Sequence, residues 1–127
     1  MLKFYSKPRK KAAHPEAALQ KRIVQFLLMN DAFYFSLPNE GKRSPIMGAH
    51  LKAMGLYPGI ADLAIIVDGK IHFLEVKAPD GVQSASQRDF QARCVMLNIP
   101  YQCVFSLTEA LSTLAKWGAI KPVKVAA

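Results

Sequence analysis

Three charged residues stand where an apolar strand would not ordinarily carry them: Asp62, Glu75 and Lys77. Glu75 and Lys77 fall two apart in the run FLEVK (73–77), and Asp62 opens a second apolar run, ADLAIIV (61–67). An ionised group inside a core is costly unless it is paired or coordinates a metal. Between the runs stands Asp68-Gly69, a favoured two-residue hairpin turn. With that turn Val67 faces Lys70, and counting back along both strands sets Asp62 opposite Glu75. Side chains so opposed have Cβ atoms about 4.5–5.5 Å apart. Lys77, two residues beyond Glu75, points to the same face. Opposed carboxylates repel, and a hard divalent cation between them turns that cost into binding energy. Mg²⁺ is typically held by one or two carboxylates plus phosphate oxygens and water. The pair therefore predicts a metal site with a lysine beside it. A three-residue loop would instead set Asp62 opposite Val76, on the wrong face.

These residues need elements to position them. Pro15 and Glu16 open a helix that runs to about Asn30, Pro suiting the first position and Glu the positive end of the dipole. Leu19, Ile23, Phe26, Leu27 and Asn30 trace its inner face. A short strand follows over Phe33–Leu37. Pro38 ends it, and PNEGKRSPIMG (38–48) reads as a long loop. A brief helix over His50–Met54 and a YPGI turn lead into the hairpin, 61–67 and 70–77. Ser84–Asn98 is a helix, with Ser84 and Gln87 in capping-box spacing. YQCVFS (101–106) is a strand, and Leu107–Trp117 the last helix. The order αβββαβα predicts an α/β fold, a mixed β-sheet flanked by helices. Glu16 and Gln87 both lie on inner faces at helix N-termini, from which they could approach the sheet end. Glu16 is equally well an exposed acid that complements the helix dipole, and Gln87 equally well a capping residue alone.

The chain has 127 residues, 51% of them apolar, within the usual range for one domain. It is expected to divide into a basic arm (1–14), a domain (15–119) and a tail (120–127). Its net charge of +8 favours a polyanionic partner. Lys7, Arg9, Lys10 and Lys11 lie in the arm, and Asn39, Lys42 and Arg43 in the Pro/Gly loop. Basic residues that flank the ordered elements, with no basic amphipathic helix, point to nucleic acid rather than membrane. No apolar stretch is long enough to span a bilayer, and the basic N-terminus lacks the apolar core of a signal peptide. Cys94 and Cys103 have no metal-like spacing and make no disulfide framework, which fits a reduced, cytoplasmic protein. His14, His50 and His72 have no metal-ligand spacing, Trp117 reads as core or an edge cap, and Met47, Met54 and Met96 read as ordinary packing residues.

Pro58-Gly59-Ile60-Ala61-Asp62, followed thirteen residues after the aspartate by Glu75-Val76-Lys77, resembles the PD-(D/E)XK nuclease signature with its leading proline displaced. With PNEGKR (38–43) upstream and SASQ (84–87) downstream, the sequence is similar to the VRR-NUC family over about residues 16–117. A lone D…ExK is weak, whereas Glu16, PNEGKR, PGIAD, EVK and Gln87 in this order form a more specific set. The resemblance implies a restriction-endonuclease-like fold and Mg²⁺- or Mn²⁺-dependent hydrolysis of phosphodiesters. It implies Asp62, Glu75 and the backbone carbonyl of Val76 as metal ligands, and Glu16 as a further one, directly or through water. Lys77 would orient water or stabilise phosphate charge, and Gln87 would support the site. Glu40, where many members have a small residue, departs from the pattern. Standalone members can act as homodimers, which implies branched DNA such as a Holliday junction as substrate. The alternatives are a binding protein that has lost catalysis, and a nuclease for flaps or RNA. The chemistry fits on its own terms: one metal or two could activate water and neutralise phosphate charge, and a lysine beside carboxylates suits electrostatic stabilisation better than base catalysis.

Overall fold

The computed structural model describes residues 14–37 and 44–124. The hairpin forms in the expected register. Strands β2 (Leu63–Val67) and β3 (Lys70–Val76) pair antiparallel, with Val67 opposite Lys70 and Leu63 opposite Leu74. Asp68 (φ 51°) and Gly69 (φ 73°) supply the two left-handed residues that such a tight turn requires. Strand β1 (Phe33–Ser36) pairs antiparallel with β2, and β4 (Tyr101–Val104) pairs parallel with β3. The result is a mixed four-stranded sheet in the order β1-β2-β3-β4.

Alternation along the strands builds two apolar layers. Leu63, Ile65, Leu74, Val76 and Val104 join Ile23 and Leu27 of α1 (Pro15–Met29) and Ala110, Leu111 and Leu114 of α4 (Leu107–Trp117). Fully burying a Leu or Ile side chain contributes about 1.5–3 kcal/mol, so this is the larger core. Ala64 and Phe73, on the other face, join Phe90 and Cys94 of α3 (Ala85–Met96) and Ala61. A sheet covered on both faces explains why the strands read as nearly unbroken apolar runs. His72 falls in the larger layer, where its Nδ1 lies 2.9 Å from the Lys70 carbonyl and its ring 5.0 Å from that of Trp117.

The expected order needs one addition. A helix, α2 (Pro45–Ala53), occupies residues read as the end of a loop and then as a brief helix starting at His50. Ser44 caps it by accepting the Met47 N–H at 3.1 Å, and Pro45 takes the first turn. Those start signals sit inside a Pro/Gly-rich stretch that reads as loop. The helix buries no residue, so it has no inner apolar stripe to mark it. Met47, Met54 and Met96 are exposed, not packed. The other helices begin where expected, and the strands are shorter: Asp62 and Lys77 stand just outside β2 and β3. The arm residues Lys7, Arg9, Lys10 and Lys11, and the loop residues Asn39, Glu40, Lys42 and Arg43, lie outside the described residues.

Candidate active site

Four parts of the fold meet at the end of the hairpin. Asp62 precedes β2 and Glu75 lies near the end of β3. Glu16 comes from the first turn of α1, and Gln87 from that of α3. Asp62 Oδ2 accepts the Val76 N–H at 2.7 Å, so one carboxylate oxygen is fixed by the backbone of the opposite strand. Gln87 Nε2 donates to Glu75 Oε1 at 3.0 Å. The same amide accepts the Ser84 N–H on Oε1 at 2.8 Å, while Ser84 Oγ accepts the Gln87 N–H. The capping box and the contact to the site are thus two ends of one amide. Because the cap holds its oxygen, its NH₂ group is aimed at Glu75.

Gly59 makes this arrangement possible. It has φ +75°, and a Cβ there would stand 2.3 Å from the Ser86 carbonyl carbon and 2.6 Å from Gln87 N. The turn that leads into Asp62 therefore lies directly on the first turn of α3. Any side chain at 59 would separate the element bearing Asp62 from the one bearing Gln87.

Glu75 is 2% exposed, and its Oε2 accepts no hydrogen bond from the described residues. Burial, then the charge of Asp62, then a hydrogen bond that the protonated Glu75 carboxyl donates to the Asp62 carboxylate, push Glu75 up to about 9. Lys77 opposes this shift, and Glu16 adds to it. Lys77 is itself buried. Its ammonium is 4.0 Å from Glu16 Oε1, which also accepts the Ala78 N–H at 3.5 Å. Glu16 therefore stands with Lys77. Among the described residues no three His, Cys, Asp or Glu side chains form a metal-holding group. What the described residues offer a cation is the Asp62–Glu75 pair, with a buried Glu75 oxygen that accepts no hydrogen bond. Mg²⁺ and Mn²⁺ fit such a donor set, because one or two carboxylates suffice when phosphate oxygens and water complete the shell.

Two neighbours of Glu75 escaped sequence reasoning. The parallel register sets Cys103 beside Glu75 and Tyr101 beside Phe73, on the same face. Burial, then the Glu75 carboxylate, push the Cys103 thiol up to about 11, far from the thiolate that a nucleophile needs. Tyr101 is raised for the same two reasons, and its hydroxyl accepts from Gln83 Nε2 at 3.0 Å. No signal within β4 identifies these positions, since the register of a crossover strand is not written in its own residues.

No protein-family model matches the chain, and neither a curated protein nor a solved structure matches it. Among the described residues no helix is long and apolar enough to cross a membrane.

Proposed function

We propose that this chain is a divalent-metal-dependent endonuclease of the VRR-NUC kind, which hydrolyses phosphodiester bonds in branched DNA as a homodimer. The observation that carries the reading is the pairing of Asp62 with a buried Glu75 carboxyl, whose Oε2 accepts no hydrogen bond, beside a buried lysine. A protein that only bound DNA would gain nothing from that pair, whereas a hydrolase gains a cation site aimed at phosphate.

Asp62 and Glu75 would hold Mg²⁺ or Mn²⁺, with the Val76 carbonyl at the strand end available as a further donor. A cation bound there supplies Lewis-acid neutralisation of phosphate charge and lowers the pKa of water. Lys77 presents a positive charge where the pentacovalent phosphorane gathers negative charge, and its partly buried setting strengthens that interaction. Glu16 keeps the ammonium turned toward the site. Gln87 fixes Glu75 and leaves Oε2 to face the cation. The attacking water would lose its proton to solvent as it bonds to phosphorus, and the leaving oxygen would take one from solvent as its bond to phosphorus breaks.

The net charge of +8 supports a DNA partner, and the basic residues within 1–13 and 38–43 would supply phosphate contacts. The sheet edge supports the dimer. Strand β1 is terminal in the sheet, with Phe33 and Phe35 exposed and set edge-on to each other at 6.4 Å. A terminal strand bearing exposed apolar side chains of this kind pairs readily with a two-fold copy of itself. Both cysteines are free thiols, in keeping with a reducing cytoplasm.

The test is to incubate the purified chain with four-way-junction, flap and linear duplex DNA in Mg²⁺, Mn²⁺ or EDTA. Nicking of branched DNA in either metal, and none in EDTA, is expected. Binding without cutting in every metal would reduce the chain to a binding protein. Equal cutting of linear duplex would remove the structure preference.

A further inference from the structure

A groove of about 550 Å³ lies between the C-terminal end of α2 and the first turn of α3, lined among others by Lys52, Leu56, Tyr57, Pro58, Ser86 and Asp89. Its volume is in the range of small-ligand sites. Tyr57 is 41% exposed, and its ring is held from behind. It meets Phe90 edge-on at 5.4 Å, and Phe90, which is buried, meets Phe73 at 5.0 Å and Tyr101 at 5.9 Å. The groove thus has a rigid aromatic wall whose support reaches Phe73, two residues before Glu75. It also borders the site directly, because Ser86 precedes Gln87 and Pro58 precedes Gly59.

Its charge selects the occupant. Residues 44–61 contain Lys52 and no Asp or Glu. A polyanion is welcome along this segment, which leads straight into Asp62. Asp89 on the opposite wall disfavours phosphate there, but a carboxylate accepts a hydrogen bond from an exocyclic amine. The groove therefore has a phosphate side at Lys52, a stacking surface at Tyr57 and an amine acceptor at Asp89.

We propose that this groove receives an unpaired nucleobase of the substrate strand, stacked on Tyr57 with its phosphate at Lys52. The purpose assigned to it rests on the nuclease reading above. A base in a duplex is already stacked and cannot enter. The groove would therefore recognise DNA with an unpaired nucleotide near the branch, and would favour adenine, cytosine and guanine, which carry an exocyclic amine, over thymine.

The probe is a single-stranded oligonucleotide carrying one 2-aminopurine, added to the full chain in EDTA so that nothing is cut. Saturable quenching is expected, with none for the same base inside a duplex. Tyr57→Ala should remove the quenching and weaken binding about tenfold or more, while Tyr57→Phe should keep both. If circular dichroism shows that Tyr57→Ala does not fold, Ser86→Tyr, which fills the groove from an exposed position, should block quenching instead. Unchanged quenching in the folded variant, or equal quenching by duplex, would overturn the proposal. So would loss of a dimer with quenching intact, since the groove would then seat a second copy of the chain. Cutting of branched DNA without quenching would remove the groove and leave the nuclease. Quenching without cutting would remove the nuclease and leave the groove.

Discussion

Replacing Lys77 with Met should lower cleavage of branched DNA about a hundred- to a thousandfold, and Asp62→Asn by at least as much, with DNA affinity within about threefold of wild type. The size follows from what each group does. Removing one donor aimed at developing charge typically costs about 10²–10³ in rate, and losing a carboxylate of the pair weakens the cation site itself. Both substitutions are chosen to keep the fold. Methionine retains the apolar stem that lies against the Ala78–Gly81 turn, where a Cβ at Gly81 would sit 3.4 Å from Lys77 Cδ. Asparagine still has an oxygen to accept the Val76 N–H that Asp62 Oδ2 takes at 2.7 Å. The check is single-turnover cleavage beside a binding titration in EDTA. A loss of only a few-fold in either variant would mean that the residue stands near the chemistry without taking part in it.

In EDTA the folded chain should lose stability as pH rises, and Glu75 should be the cause. Its carboxyl is raised from an ordinary 4.5 to about 9. Between those values the folded state holds a proton that the unfolded chain has given up, so unfolding free energy falls with pH. The contribution is whole below about pH 4.5 and lost as pH rises through about 9. Each pH unit of such a shift corresponds to about 1.4 kcal/mol, so the fall across the window amounts to several kcal/mol. Glu75→Gln is neutral throughout and keeps an oxygen for the Gln87 NH₂. Urea titrations from pH 5 to 9 should show a steep decline for wild type and a nearly flat line for the variant. The two should cross, with Glu75→Gln the more stable at pH 8. Parallel lines would mean that Glu75 is not the group responsible.

Much of this site could be read from residue order because its geometry is local. Asp68-Gly69 dictates a tight turn, a tight turn dictates the register, and the register brings Asp62 against the Glu75 end of β3. Glu16 and Gln87 could be placed on inner faces by helical spacing, but spacing could not choose between their possible roles. The folded chain removes the choice for Gln87, whose single amide both caps α3 and holds Glu75. What escaped is what depends on other elements. Whether Met54 or Met96 is covered depends on what packs over it, and nothing in an apolar residue says that its helix will stand clear. Cys103 and Tyr101 reach the site face only through a parallel pairing made after a helical crossover. Gly59 was legible as a turn residue, whereas its contact with Ser86 and Gln87 joins residues almost thirty apart in the chain.

Everything proposed for the site requires that Asp62 and Glu75 together hold a divalent cation. This is tested most directly by titrating Mn²⁺ into the DNA-free chain at pH 7 by isothermal calorimetry. Wild type should bind with release of protons, because Glu75 must give up its proton to take the ion. The heat should therefore vary with the ionisation enthalpy of the buffer, and Asp62→Asn and Glu75→Gln should each abolish binding. Binding of equal strength in both variants, or no binding by wild type with or without a phosphodiester analogue, would contradict the account.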